Sequence, residues 1–324
     1  MRHAYGYLRT PILIGAALFT FLSLIASGWA QPSQQRTFAT PEAGVAALVD
    51  AVRMMDRAAL EAVLGPGSRE VIESGDPVED ANARDEFLAA YDEKSNLVAV
   101  NDTTRTLQVG PTDWPLPIPL IREGSMWRFD LEAGRDEIIN RRIGQNELNA
   151  IEASQAFVDA QQEYASAERD GDNILEYAQR FVSTNGMKDG LYWPAPAGEE
   201  ESPLGPLFAE ARAEGYQVET AAPGSAYYGY RYKILTAQGP AAMGGAYDYI
   251  VGGNMISGVG LVAYPAQYGV SGVMSFIVNH DGVVYETDLG PETVARANAI
   301  SLFDPDAKTV RVPDQDEAPI VDED

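Results

Sequence analysis

The chain has 324 residues, of which 45% are hydrophobic, so an ordinary buried core can stabilise it. Because it contains no cysteine, disulfides, a thiolate nucleophile, a zinc ribbon and an iron–sulfur centre are excluded. The 48 acidic and 23 basic residues give a formal net charge of −25, and such a surface repels nucleic acid and anionic lipid headgroups.

The first 30 residues have the pattern of a secretory signal peptide. Arg2 and Arg9 form a positive segment, an apolar stretch follows over residues 12–25, and the small residues before Ala30 offer a cleavage site. A membrane-spanning helix needs about 20 apolar residues, so the sequence favours cleavage over an uncleaved anchor and predicts no stable membrane span afterwards. The predicted location is the periplasm or the cell exterior.

Residues 31–140 are predicted to form an N-terminal α+β domain. Thr40 as N-cap and Pro41 at the first helical position begin one helix, and a second is predicted from Asp56 to Gly65. A third amphipathic segment surrounds Phe87, and strands are predicted over residues 97–100, 104–109, 118–122 and 126–131. This order of helices and strands resembles the cone-shaped nuclear-transport-factor-2-like fold, which would imply a cavity in this domain.

Residues 141–310 are predicted to form a second α+β domain, in which a long helix packs on an antiparallel sheet. The helix is expected from Asn146 to Glu168, with an apolar face formed by Leu148, Ile151, Phe157, Val158, Gln161 and Tyr164. Shorter helices are predicted over residues 207–214 and 291–298, and strands over 230–235, 258–264, 270–279 and 283–287. Residues 279–282 have the composition of a tight hairpin turn. The acidic residues 311–324 are predicted to be a disordered tail.

Several motifs along the chain are similar to those of one bacterial family of exported proteins. They are FATPEAGVAALVDAV near the start, GQNELNAIEASQAFVDAQQEYA in the long helix, GMKDGLYWP and SPLGPLFAEA in the loops, and YYGYRYKILTAQGP and YPAQYGVSGVMSFIVNHDGVVYETDLG in the sheet. On these motifs the chain resembles the family catalogued as domain of unknown function 2950, over nearly its whole length after the leader. The resemblance implies export and brings no activity and no site residues with it.

The second half of the chain also resembles the globular domain of type IV pilins and pseudopilins, where one long helix packs on an antiparallel sheet. The matching order is an alanine-rich helix, the GYRYKIL strand, the LVAYP strand and the GVSGVMSFIVNHDGVVY hairpin. In pilins the assembly helix is N-terminal and continuous with the long helix. Here the predicted N-terminal domain separates the leader from that helix, which argues against assembly by the pilin route.

His280 is the one histidine that follows the leader. As a general base it would need an orienting carboxylate, which Asp281 or Asp288 could provide. Because His280 lies in the predicted hairpin turn, the preferred interpretation is a solvent-exposed turn residue without a catalytic role.

Five acidic residues lie close together at Glu70, Glu73, Asp76, Glu79 and Asp80. Two carboxylates on one helix face could perform acid–base hydrolysis. In a chain with 48 acidic residues such clusters also arise from composition alone, so no catalytic residue is assigned.

Tyrosines are dense between residues 227 and 268, and a contact surface is the hypothesis for them. A tyrosine offers an apolar ring and a hydroxyl, which suits recognition of a partner. The candidate binding residues are Tyr228, Tyr230, Tyr232, Tyr264 and Tyr268. Packing of the same rings in the core is the competing interpretation.

Together these features favour an α+β, exported, non-enzymatic interaction or scaffold protein of the cell envelope, with another envelope protein as its partner. The alternative hypothesis is a carboxylate-based hydrolase or a small-ligand binder that uses a cavity in the N-terminal domain. No cofactor, no metal and no nucleic-acid partner is predicted.

Overall fold

A computed structural model describes residues 35–169, 171–196, 198–217 and 224–313 of the chain. The helices of this part are α1 (Pro41–Arg53), α2 (Arg57–Leu64), α3 (Arg69–Ile72), α4 (Pro77–Glu93), α5 (Leu131–Ala165), α6 (Gly205–Ala213) and α7 (Thr293–Ala299). Helices and antiparallel sheets occur together, so the predicted α+β class is confirmed. The predicted signal peptide and most of the predicted acidic tail lie outside the described residues.

The first sheet is antiparallel and follows the first four helices. Its strands are β1 (Ser95–Asn101), β2 (Thr104–Val109), β3 (Trp114–Pro115), β4 (Leu120–Glu123) and β5 (Met126–Phe129). They pair in the order β1-β2-β4-β5, and the short β3 pairs with β2. The proline-rich segment that contains β3 therefore lies beside the sheet, where a missing backbone donor costs little.

The second sheet lies near the C-terminus of the chain. The strands of this region are β6 (Tyr230–Leu235), β7 (Ala237–Gln238), β8 (Tyr247–Asp248), β9 (Ile250–Val251), β10 (Asn254–Met255), β11 (Gly260–Pro265), β12 (Met274–Asn279), β13 (Tyr285–Asp288), β14 (Leu302–Phe303) and β15 (Val310–Arg311). The main sheet is antiparallel in the order β15-β13-β12-β11-β6. Two small sheets, β14-β7-β8 and β10-β9, accompany it.

The first hydrophobic core joins α1 and α2 to the first sheet. Helix α1 buries Val45, Leu48, Val49 and Val52, which recur at helical spacing. They pack with sheet residues such as Leu107, Leu120 and Phe129, each at most 1% exposed. Burial of one such side chain contributes about 1.5–3 kcal/mol. The predicted N-cap is confirmed, because Thr40 accepts a hydrogen bond from the Ala43 amide. Asp56, where the second helix was predicted to begin, caps α2 by accepting from the Ala59 amide.

The second core is formed by α5 and the main C-terminal sheet. Side chains alternate along β11, so Leu261 and Ala263 face the core with α5, whereas Val262 and Tyr264 face a third core with α7. Both faces of β11 are therefore covered, which explains why all six of its residues are buried.

Helix α5 begins at Leu131 rather than at Asn146, so the predicted start was wrong. Gly134 and Gly144 interrupt the helical pattern of this stretch, but Gly134 packs against the backbone of Pro117 and the helix continues through both positions. Leu148 was predicted to lie on the buried apolar face of this helix, but it is 52% exposed. The predicted domain boundary at residue 140 falls inside α5, and the division into two domains stays a prediction.

The predicted C-terminal elements largely agree with the structure. A hairpin turn links β12 to the stretch before β13: the Gly282 amide donates to the Asn279 carbonyl, and Gly282 has a φ of +79°. Arg311 pairs with Tyr285 in β15. The main sheet therefore includes residue 311, where the disordered tail was predicted to begin.

Candidate functional site

A cavity lies in the N-terminal part of the described residues, below α4. Its volume is about 820 Å³, within the range of small-molecule sites. Its wall comes from α1, α2, α3, α4, α5 and the segment after β2. The apolar lining includes Leu48, Val52, Leu60, Leu64, Val71, Ile72, Phe87, Val109, Leu116, Ile118 and Ile138.

Helix α4 covers the cavity without sealing it. None of its residues is fully buried, although Phe87 and Ala90 point toward the first core. Both line the cavity, as do Glu79 and Asp80 in the first turn of the helix. At a rise of 1.5 Å per residue, Ala90 lies about 16 Å from Glu79 along the axis. The cavity therefore extends along α4, with Glu79 and Asp80 at one end, here called the carboxylate end, and Glu86, Phe87 and Ala90 farther along.

The rim of the cavity carries exposed apolar side chains. Met55 is 69% exposed and Trp114 is 38% exposed, and both line the opening. The Arg141 guanidinium lies 6.0 Å from the centre of the Trp114 ring. A ligand that enters here meets an apolar rim before it reaches the carboxylates.

Glu79 is the most strongly perturbed acid of the cavity. Burial raises the pKa of Glu79 to about 7, Arg142 lowers this pKa and Asp76 raises it. Glu79 Oε2 accepts a hydrogen bond of 3.3 Å from Asn146 Nδ2, which is a neutral amide. Near pH 7 the carboxyl group of Glu79 therefore exists in both its neutral and its charged form.

Asp80 lies beside Glu79 and has the same kind of perturbation. Burial raises the pKa of Asp80, and the hydrogen bonds from Ser74 lower it. The Ser74 amide donates to Asp80 Oδ1 at 2.8 Å. Both carboxyl groups are thus held in place by uncharged donors.

Arg142 is the cation of α5 that influences both acids. Its terminal nitrogens donate to the carbonyls of Glu70 and Val71 at 2.8 and 2.7 Å. Burial lowers the pKa of Arg142, whereas Glu79 and Asp80 raise it. Because its donors are engaged by the α3 backbone, Arg142 acts on the acids through its field rather than by direct contact. Among the described residues, no ion pair reaches Glu79 or Asp80.

The other three acids of the sequence cluster have partners of their own. Glu70 forms an ion pair with Arg135, and Glu73 forms ion pairs with Arg57 and Arg69. Asp76, 1% exposed, caps α4 and also accepts from Tyr216 Oη at 3.0 Å and the Gly229 amide at 3.1 Å. Of the five clustered acids, Glu73, Glu79 and Asp80 line the cavity, and of these three only Glu79 and Asp80 have no ion pair among the described residues. The sequence drew attention to the cluster but contained no signal that separated these two from the rest.

The predicted tyrosine residues do not form one surface. Tyr230 is 0% exposed and donates to the Met274 carbonyl, and Tyr264 is 5% exposed and donates to Asn298. Both rings pack in cores, so neither offers a face to a partner in this structure.

The remaining candidate tyrosines are half-buried, and of these Tyr228 and Tyr232 both pack near the ring of Tyr227. Tyr228 donates to Glu214, and its ring lies 4.5 Å from that of Tyr227. Tyr268 donates to Asp288 at 3.2 Å, and Tyr232 packs against the second core. Binding by these residues stays a prediction, with less exposed ring surface than the sequence suggested.

His280 occupies the predicted turn, but the expectation of a solvent-exposed side chain was wrong. The imidazole is 23% exposed and packs against Tyr249, with ring centres 5.7 Å apart, and against Tyr177 at 6.3 Å. Its Nε2 lies 4.0 Å from Asp281 Oδ1, whereas Asp288 binds Tyr268. The His280 amide donates to the Val259 carbonyl at 3.0 Å, which ties the backbone of the turn to the segment before β11.

Within the described ranges, no group of three histidine, aspartate or glutamate side chains is arranged to hold a metal ion. None of the helices in those ranges has the length and apolar character needed to cross a bilayer.

Comparison with known proteins gives one match. No curated protein and no solved structure matches the chain, and the resemblance to pilins stays a prediction. A family model described as a protein of unknown function, DUF2950, matches residues 35–312. This range is most of the chain and spans both sheets, so the chain belongs to the DUF2950 family.

Proposed function

We propose that this protein is an exported, non-enzymatic binding protein of the cell envelope and that the cavity below α4 binds a small organic molecule. The observation that carries the proposal is a cavity of about 820 Å³ whose wall is mostly apolar and which holds the carboxyl groups of Glu79 and Asp80 at one end. This combination is typical of small-molecule sites. The signal-peptide pattern of residues 1–30 supports the exported location.

A carboxylate hydrolase is the second candidate, because one observation favours it. A pKa of about 7 for Glu79 suits a general acid or base near neutral pH. Hydrolysis by two carboxylates needs them on opposite sides of the scissile bond. Glu79 and Asp80 instead are consecutive residues of one helix, so the geometry supports binding better than hydrolysis.

The interaction surface inferred from the tyrosines receives less support than the cavity. Two of its five candidate rings, Tyr230 and Tyr264, are at most 5% exposed. An envelope protein as partner therefore needs a surface other than the one proposed from the sequence.

The proposal is tested with the neutral fluorescent probe N-phenyl-1-naphthylamine. Ala83 is an exposed residue of α4 that also lines the cavity. Ala83→Trp therefore places an indole ring inside the cavity with little effect on folding. We expect saturable binding to the unmodified protein and a loss of affinity of about tenfold or more in Ala83→Trp. Fluorescence titration measures both.

Ala89→Trp is the matched control, because Ala89 is an exposed residue of the same helix on another face. We expect it to bind the probe like the unmodified protein. The proposal is wrong if the probe shows no saturable binding, or if Ala83→Trp and Ala89→Trp bind it equally well.

A further inference from the structure

At the carboxylate end of the cavity, the negative charges of the side chains outnumber the positive ones. The arginines that line the cavity elsewhere each have a carboxylate partner, in the pairs Arg57–Glu73, Arg84–Asp85 and Arg141–Glu137. Glu79 and Asp80 share only the field of Arg142, whose donors are bound to backbone carbonyls. The carboxylate end therefore has an excess of negative charge when both acids are ionised.

We propose that the ligand of this cavity is a cationic amphiphile, an organic amine with an extended apolar body, whose ammonium group binds Glu79 and Asp80. This inference rests on the proposed function. An ammonium group there would supply the missing positive charge and charge-assisted hydrogen bonds, which are stronger than those of neutral donors. The apolar body would lie along α4 against side chains such as Leu60, Val71 and Phe87.

The length of the cavity fits an extended apolar body. Glu79 and Ala90 both line it and lie about 16 Å apart along the helix axis. The rim residues Met55 and Trp114 expose apolar surface at the opening, which a hydrocarbon chain would cover. The strongly acidic chain, with a formal net charge of −25, also attracts a cation in preference to an anion.

Binding of an amine at Glu79 is linked to a proton. Four charged or titratable side chains face Glu79. They are Asp80 of α4, Asp76 at the N-cap of α4, Arg142 of α5, and Tyr216. Because the pKa of Glu79 is about 7, the carboxyl group is neutral at lower pH and charged at higher pH. An alkylamine stays protonated throughout this range. Amine affinity therefore rises from pH 6 to pH 8, and binding near pH 7 releases about half a proton.

The test compares octylammonium with 1-octanol, which has the same chain and no charge. Displacement of N-phenyl-1-naphthylamine reports both affinities. At pH 8 we expect octylammonium to bind at least about tenfold more tightly than 1-octanol. Glu79→Gln should remove most of this difference in affinity and abolish the rise in octylammonium affinity between pH 6 and pH 8. The affinity of this variant for 1-octanol should stay within about twofold of that of the unmodified protein.

Glu93→Gln is the matched control. Glu93 also lies on α4, but it is exposed and is not part of the cavity lining, so its removal changes the net charge equally without removing a carboxylate of the cavity. We expect it to leave the octylammonium affinity within about twofold of the unmodified protein.

Three results would separate the possible errors. Equal affinity for octylammonium and 1-octanol would overturn the cationic ligand and leave the binding function in place. Equal effects of Glu79→Gln and Glu93→Gln would show that only the overall charge matters and would also overturn it. Failure of both compounds and of the neutral probe to bind would overturn the proposed function itself.

Discussion

Asp76 connects two distant parts of the chain through one buried carboxylate. Its Oδ1 accepts from the amides of Val78 and Glu79 at the start of α4, which is ordinary N-capping. Its Oδ2 accepts from Tyr216 Oη and the Gly229 amide, which are 140 and 153 residues away in sequence. One side chain therefore begins α4 and also holds the segment before β6 against it.

Asp76→Asn tests this double role. The amide oxygen can still cap α4, but the amide nitrogen is a donor and cannot accept from the Gly229 amide. We expect a loss of roughly 2–4 kcal/mol in the free energy of unfolding, because a buried donor is left unsatisfied. Urea unfolding at pH 7 measures this loss.

Asp56→Asn is the control for capping alone. Asp56 is exposed and caps α2 through the Ala59 amide, and asparagine caps about as well as aspartate. We expect a change below about 1 kcal/mol. If Asp76→Asn costs no more than Asp56→Asn, the long-range bonds of Asp76 contribute nothing to stability.

The sequence predicted a helix start at Asp56, but it predicted neither the capping role nor the long-range bonds of Asp76. Asp56 precedes an apolar helical pattern, which is enough to identify an N-cap. Asp76, Glu79 and Asp80 lie in an acidic stretch where composition hides any difference between them. What distinguishes them is burial by α5 and by the segment around residue 216, and no local pattern contains that information.

At the scale of elements, α5 shows where periodicity was informative and where it was not. Phe157, Val158 and Tyr164 were predicted to face the core and are buried. The first half of the helix carries few apolar residues at regular spacing and contains Gly134 and Gly144, so its pattern did not indicate a helix. Packing against the Pro117 segment and against α3 fixes this half instead.

We predict that substitution by alanine has opposite effects on stability at the two glycines of α5. A Cβ at Gly134 would lie 2.1 Å from the Pro117 carbonyl oxygen, whereas at Gly144 it meets no atom within 4 Å. We expect Gly134→Ala to cost about 1–3 kcal/mol through overpacking, and Gly144→Ala to gain about 0.5–1 kcal/mol through helix propensity. Thermal unfolding of the two variants shows whether each substitution lowers or raises the stability. Stabilisation by Gly134→Ala would contradict the close packing of α5 on this segment, which forms part of the cavity wall.

The whole molecule has separate hydrophobic cores joined by a continuous helix. The first core lies on the first sheet, and the second and third lie on the two faces of the C-terminal sheet. Helix α5 contributes Leu131 to the first core and Phe157 to the second. Asp76 and Asn146 add hydrogen bonds between the two parts, because Asn146 Nδ2 reaches both Glu79 and the Ser271 carbonyl. The chain length and the order of predicted helices and strands suggested two domains, but neither of them contains information about these connections.

We expect the two parts to unfold in one cooperative transition, because opening either core exposes the shared helix and breaks the Asp76 bonds. Two variants of a chain that begins at Gln31 report on each part. One keeps only Trp127, which is buried in the first core, and the other keeps only Trp193, which is buried in the second. Phenylalanine replaces the other tryptophans, and each variant is unfolded in urea and followed by far-ultraviolet circular dichroism and by fluorescence. Within each variant the two signals should share one midpoint. If fluorescence and circular dichroism instead give separate midpoints, the chain consists of two independent domains that divide near residue 140, as the sequence alone predicts.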